Sequence, residues 1–306
     1  MESSSTPLVW IILLNYNRAE DTLSCVASLK RVRYPNFRLL VVDNCSTDDS
    51  YARLNPLLSG TEFIKTDENL GYTGGMNYAI KHLLPYNPDF VLLLNNDTIV
   101  DPDFLTQLVT ASVEHPTAAV ACGTILCEHD RSLVWYASGN YIPWRAYASH
   151  NHIWEHYSPK DYPVPVVTEF VTGCMLLLKM EHCKEIGFED ERYFMYLDDM
   201  EYSTRVRSRG FSLLYVPASI IYHKVLDEFE RPFKLYYTIR NRMLFMRTYR
   251  TGVGGLVTWT YFFSVMTLKL IYWRMKKPKL FHAALHGMKD YFRGNFYRGS
   301  GASILL

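Results

Sequence analysis

GMNYAIKHLLPYNPDFVLLLNNDTIVDPDF, residues 75–104, carries the pattern that decides the fold. Five apolar residues, 90–94, run without interruption and stop at Asn95, Asn96 and Asp97. A short unbroken apolar run of this kind is the mark of a strand buried on both faces. A helical pattern over 74–84 precedes it, and another over 103–114 follows. Toward the N-terminus the alternation repeats, with strands expected at 8–14, 39–42 and 63–65 and helices at 21–30 and 48–58. The order β-α-β-α-β-α-β predicts an α/β fold, with a mostly parallel sheet and helices on both faces. Ligands of such sheets bind beyond the carboxyl ends of the strands. The polar residues that end each apolar run are therefore the candidates for function.

Downstream, a strand is expected at 118–126, and residues 128–165, rich in Tyr, Trp, His and Pro, read as a looped, acceptor-facing insertion. A strand at 170–178, a helix at 199–209 and a strand at 213–216 follow, and from Pro232 the pattern is helical. The expected division is a catalytic domain over 1–230 and a basic, aromatic-rich helical region over 231–306.

Hydrophobic residues make up 48% of the 306 and charged ones 21%, which fits a globular chain with an ample core. The net charge of +1 hides an asymmetry: from Arg231 onward there are fourteen Lys or Arg and one acid, Asp290, so that end carries +13 and the rest −12. An acidic body suits a metal-binding catalytic part, and a basic end suits an anionic surface. No nucleic-acid partner is expected. Residues 253–273 are long enough to span a bilayer but contain Lys269 and several Ser and Thr. A buried helix, or one lying in a membrane interface, is favoured over a spanning one. A dimer contact is the competing use of this region. Six cysteines without a CxxC pair, and an N-terminus MESSSTP without a basic and apolar leader, favour a reducing, cytoplasmic setting.

Four stretches carry chemistry. In VVDNCSTDDS, Asp43 ends a strand, where its carboxylate can accept from a pyrimidine imide N–H; a plain helix start with a solvated Asp is the equal alternative. Ser46 with Asp49 resembles a capping box. Upstream, Asn15 and Tyr16 end the first strand, and Tyr16 suits either a nucleobase face or the core. In ENLGYTGGMNYA, Asn69 and the glycines Gly71, Gly74 and Gly75 allow close backbone approach, and a helix start there offers N–H groups to phosphate. The pattern is neither GxGxxG nor a P-loop. In FVLLLNNDTIV, Asp97 stands at the ligand face of a buried strand, where a divalent metal would offset its charge. Oxygen ligands favour Mg²⁺ or Mn²⁺. In RYFMYLDDMEYSTRVRSRG, Asp198, Asp199 and Glu201 crowd a helix start. Acids are favoured there in any case, yet their mutual repulsion can also raise one pKa toward that of a general base. His223, after a later strand, could complete a metal site.

These stretches, with FVTGCMLLLKMEHCKEIGFEDERYFMYLDDMEYSTRVRSRGF, YHK and YYTIRNR, resemble family 2 glycosyltransferases of the GT-A fold, in particular the rhamnosyltransferase-like branch. The resemblance covers roughly residues 8–245, with seven elements in the family's order. It implies that Asp43 holds the pyrimidine of a dTDP- or UDP-linked donor, with Tyr16 against it. Asn95 and Asp97 fall at the family's DxD motif, and the Asn at its first position leaves ligation mainly to Asp97. His223 matches a histidine that completes the metal site in some members. Asp199 matches the base, and Asp198 and Glu201 beside it are expected, like Arg240, to meet the diphosphate or the acceptor. The implied acceptor is a saccharide or lipid-linked glycan, and the implied reaction an inverting transfer. Two other classes stay open: a nucleotidyltransferase, although the basic glycine-rich signature of that class is missing, and an inert assembly protein that keeps the fold.

Overall fold

A computed structural model describes residues 6–58, 60–158, 160, 163–225 and 232–299. The first half alternates as expected: β1 (Val9–Asn15), α1 (Ala19–Leu29), β2 (Phe37–Asp43), α2 (Ser50–Leu57), β3 (Glu62–Lys65), α3 (Gly71–Leu83) and β4 (Phe90–Asn95). β5 (Thr98–Val100), α4 (Phe104–Glu114) and β6 (Ala118–Cys127) come next. The insertion contains β7 (Val134–Tyr136) and a hairpin of β8 (Gly139–Ile142) and β9 (Tyr147–His150), and β10 (Val166–Thr168) follows it. The chain continues through β11 (Met175–Lys179), α5 (Met180–Ile186), α6 (Asp198–Ser208), β12 (Ser212–His223), α7 (Pro232–Tyr249), α8 (Gly252–Lys276) and α9 (Pro278–Arg293).

Ten strands form one sheet in the order β10-β12-β6-β11-β4-β1-β2-β3, with β5 paired to β12 and β7 to β6, and β8 and β9 pair separately. β1 is parallel to both β2 and β4, and β2 to β3. The core strands Val9–Leu13 and Val91–Leu94 are fully or almost fully buried, as apolar runs without alternation require. The strand expected at 170–178 begins only at Met175 and runs antiparallel between β4 and β6. Residues 170–174 instead lie outside the strand, and the Cys174 carbonyl accepts from the Asn95 N–H at the end of β4. β12 extends well beyond the expected 213–216, through a register shift between Val216 and Ile220, to reach His223.

The boundary expected at 230/231 falls on residues outside the described set. Beyond it, α7 buries Ile239, Met243, Leu244, Phe245 and Met246 in the same core as the sheet. α9 lies so close to α7 that a Cβ on Gly287 would come within 2.6 Å of the Tyr236 carbonyl. α8 is different. It buries a narrow stripe (Gly255, Thr258, Phe262, Met266 and Trp273) and exposes Val253, Leu256, Val257, Leu268, Ile271, Tyr272 and Met275. Of the two alternatives expected for this stretch the buried helix fails, because sequence periodicity does not say how much of an apolar helix its neighbours cover. Among the described residues α8 is the one helix long and apolar enough to cross a membrane. The hairpin tip joins it: Trp144 meets Tyr261 edge-on at 4.8 Å, and Thr258 Oγ1 donates to the Pro143 carbonyl at 3.4 Å.

Candidate active site

Parallel register sets Asn15 beside Asp43 and Leu14 beside Asn95, so the ends of β1, β2 and β4 form one polar floor. Asp43 is wholly buried. Its carboxylate accepts from Asn15 Nδ2 at 2.9 Å, from Ser46 Oγ at 2.6 Å and from the Ser46 N–H at 3.0 Å. Three of roughly four acceptor directions are taken, leaving one for a ligand. The alternative of a solvated Asp is thereby excluded. The capping box is corrected too. Ser46 serves Asp43, α2 starts at Ser50, and the Ser50 N–H is taken by Asp48 Oδ1 at 2.9 Å. Asn15 Oδ1 accepts from Thr22 Oγ1 at 2.9 Å, which makes Asn15 a brace for Asp43. Tyr16, next along, is half-buried.

The glycine-rich start of α3 does not offer the expected N–H groups. The Gly71 N–H goes to Asn69 Oδ1 at 2.9 Å and the Leu70 N–H to Asn44 Oδ1 at 3.0 Å. The Tyr72 and Thr73 N–H groups reach the Phe194 carbonyl at 2.7 and 3.3 Å. A helix N-terminus binds anions through unpaired donors, and these are paired internally. Gly71, at φ 74°, has no room for a Cβ against Phe194, and on Gly75 a Cβ would strike Leu14 Cδ1 at 2.7 Å. Asn69, Gly71 and Gly75 thus permit tight packing rather than phosphate approach.

At the end of β4 the Asn95 N–H donates to the Cys174 carbonyl at 3.0 Å, and Asn96 Nδ2 donates to Thr22 Oγ1 at 2.8 Å. β5 pairs antiparallel with the end of β12, His223 opposite Thr98, and the Lys224 N–H donates to the Asp97 carbonyl at 3.0 Å. That pairing puts His223 Nε2 3.2 Å from Asp97 Oδ1. Asp97 Oδ1 is buried without an aligned donor, and His223 Nδ1 has no partner. An orphaned carboxylate oxygen facing an imidazole nitrogen fits a divalent cation. No group of three or more His, Cys, Asp or Glu ligands occurs among the described residues, so further coordination must come from a ligand or water.

Across the Asn95–Cys174 bond lies Gly173, whose N–H donates to Asp199 Oδ2 at 3.2 Å, while the Met200 N–H donates to Asp199 Oδ1 at 2.8 Å. Burial raises the Asp199 pKa, and these two donors restrain the rise. Burial raises Asp198 also, and the adjacent Asp199 charge pushes it further. Two neighbouring carboxyls are thus driven apart, with Asp199 the more acidic, as an acid–base site requires.

The Glycosyl transferase family 2 model matches residues 10–187. The chain belongs to this family. It is 26% identical over 243 residues to an N-acetylglucosaminyl-diphospho-decaprenol L-rhamnosyltransferase of Mycobacterium tuberculosis, an alignment covering 72% of this chain and 77% of that one. It is 24% identical over 254 residues to the low-salt glycan biosynthesis hexosyltransferase Agl10 of Haloferax volcanii, covering 76% and 74%. The fold is also that of mannosyltransferase PcManGT from Pyrobaculum calidifontis, solved with GDP-Man and Mn²⁺, at TM-score 0.58 and 13% identity over 94% of this chain and 88% of that one. The expected GT-A architecture is therefore observed, and the chain is a glycosyltransferase.

Two residues expected at the rim of the glycosyltransferase site are turned elsewhere. Arg240 is fully buried and donates to the carbonyls of Tyr297 at 2.7 Å, Arg192 at 3.2 Å and Tyr193 at 3.0 Å. A guanidinium so engaged does not face a diphosphate or an acceptor. Glu201 forms a two-pronged pair with Arg205, at 2.9 Å on each oxygen, and accepts from Tyr249 Oη at 2.5 Å. Its charge is neutralised locally, so Glu201 does not face an acceptor. The third acid beside Asp198 and Asp199 is Glu189, missed in the sequence because one loop Glu carries no pattern. Both its oxygens are buried without a partner, and burial followed by the Asp198 and Asp199 charges pushes its pKa well above the carboxylate range.

Proposed function

We propose that this family 2 glycosyltransferase moves a sugar from a nucleoside diphosphate to a hydroxyl of a saccharide or lipid-linked glycan, with inversion. L-rhamnose from dTDP-rhamnose is the first donor, and a hexose from a UDP-sugar the second. The carrying observation is Asp199, aimed by the Gly173 and Met200 N–H groups and bridged by the Asn95–Cys174 bond to the strand end that bears Asp97. Support for rhamnose and for a lipid-linked acceptor comes from the rhamnosyltransferase relative.

Asp43 takes the imide N–H of the pyrimidine on its remaining acceptor direction, and half-exposed Tyr16 lies along the base. Asp97 and His223 would hold Mg²⁺ or Mn²⁺, and such an ion would supply positive charge beside the departing diphosphate. Asp199 accepts the proton of the acceptor hydroxyl while that oxygen attacks the anomeric carbon from the side opposite the diphosphate. Asp198 keeps its proton, so that the ionised form belongs to Asp199.

The exposed face of α8 lies in the interfacial layer of an anionic membrane, with Trp144 and Tyr147 of the hairpin at headgroup depth and Arg274, Lys276, Lys277 and Lys279 against the phosphates. This is peripheral docking on the cytoplasmic face, which brings the site to a lipid-linked acceptor of surface polysaccharide synthesis. Incubation with dTDP-rhamnose, UDP-hexoses and Mn²⁺ tests the core of the reading. Transfer with inverted anomeric configuration is expected, and binding without transfer or hydrolysis across the whole panel would reject it.

A further inference from the structure

The motif that contains Arg240 has work to do away from any ligand. Three of the four residues that lead into Asp198 have left-handed backbone, and none is glycine: Phe194 at φ 64°, Tyr196 at φ 69° and Leu197 at φ 61°. Phe194, with ψ −54°, is the centre of a γ-turn closed by the Met195 N–H on the Tyr193 carbonyl at 2.7 Å. Turns of that hand are rare and strained, and such backbone persists where the surroundings over-determine it. Here one side chain reaches three carbonyls of the turn. Asn241 is fully buried, and its Nδ2 lies 2.8, 2.9 and 2.8 Å from the carbonyl oxygens of Tyr193, Met195 and Tyr196. Its Oδ1 accepts from Arg240 Nε at 3.0 Å, and the same guanidinium binds the carbonyls of Arg192 and Tyr193. On the opposite side the Phe194 carbonyl receives the Tyr72 and Thr73 N–H groups of α3.

We propose that Asn241, oriented by Arg240, is a positioning residue for the base: it clamps the left-handed turn 194–197 whose exit direction aims Asp199 at the acceptor. A carboxamide suits the task because it turns two N–H donors toward carbonyls and an acceptor toward an arginine. A carboxylate would confront those carbonyls with oxygen. The C-terminal helical region is then part of the catalytic geometry through α7.

The inference rests on reading Asp199 as the base, so its test includes a measurement that does not use turnover. Full-length Asn241→Asp and Asn241→Ala are compared with wild type by hydrogen exchange, by binding of dTDP and UDP with Mn²⁺, and by turnover of whichever donor wild type accepts. Exchange should rise in 194–199 and stay unchanged in β1 and β4. Nucleotide affinity should remain within about twofold, while turnover falls on the order of 10²-fold, the loss expected when a reacting group is misplaced by about 1 Å. The acid limb of the pH–rate profile should also move, since the turn sets the burial of Asp199. Wild-type exchange at 194–199 in the Asp variant would overturn the clamp. So would exchange rising throughout the sheet with a lowered melting temperature, or nucleotide affinity lost by the same factor as turnover. If Asp199→Asn keeps full turnover, the base assignment falls, and the exchange comparison still decides the clamp.

Discussion

Asp198 and Asp199 adjoin in sequence but differ in what they meet. Burial raises both, but Asp199 also receives two backbone N–H groups, which favour its anion, whereas the neighbouring Asp199 charge pushes Asp198 further up. Asp199→Asn keeps shape and removes the proton acceptor, so transfer should fall by about 10²–10⁴-fold with donor affinity near wild type. A dead Asp198→Asn beside an active Asp199→Asn would reverse the assignment. Because the raised Asp199 must be ionised to act, the rate should climb with pH through a limb above the ordinary carboxylate value. A limb at the ordinary value would contradict the burial. Glu189 carries a stability consequence. Its folded pKa lies above its unfolded one, so between the two values the native state binds more protons and stability falls as pH rises. Glu189→Gln should therefore melt close to wild type near pH 5 and above it near pH 8. Melting below wild type at pH 8 would show that the ionised carboxylate is wanted.

β5 and β12 are the elements that join the proposed metal pair, because antiparallel pairing of their ends brings Asp97 to His223. Asp97→Ala and His223→Ala should each weaken Mn²⁺-dependent binding of UDP or dTDP, by about 10-fold or more as for a lost ligand or its support. Undiminished activity in EDTA would refute metal dependence. The sequence made some of these elements plain and concealed others. β1 and β4 are unbroken apolar runs, and their polar ends were legible as site residues because side chains at strand ends must face the crevice. The direction of β11 was not legible, since hydrophobic periodicity is the same for either direction. β12 was read short because Pro217, Ala218 and Ser219 interrupt its apolar run at the register shift. The three residues of β5 are too few to leave a signal. The glycines of α3 were visible, but not that the Phe194 carbonyl, far along the chain, takes the donors beside them. Arg240 stands out through the resemblance at YYTIRNR, while its neutral neighbour Asn241 makes most of the contacts to the turn.

Over the whole molecule, charge and apolar exposure coincide. The end that carries +13 is also the end that exposes the apolar side of α8, and the two together support the proposed docking on anionic lipid. Each basic residue near such a surface contributes about 1 kcal/mol. The protein should sediment with anionic vesicles, be released by high salt, and lose binding when truncated after Thr251. Equal recovery in the supernatant with anionic and neutral vesicles would reject docking, and resistance to both salt and carbonate would indicate a spanning α8. A self-associating α8 would instead raise the mass in solution without vesicles. The position of β12 bears on how the molecule comes into being. It pairs in parallel with β6, which lies far away in sequence, and contacts of that kind are slow to form. A slip of one residue would turn His223 to the other side of the sheet, away from Asp97. During refolding, then, helical signal should return first and Mn²⁺-dependent nucleotide binding last, so that cation capture serves as a chemical report of correct strand register.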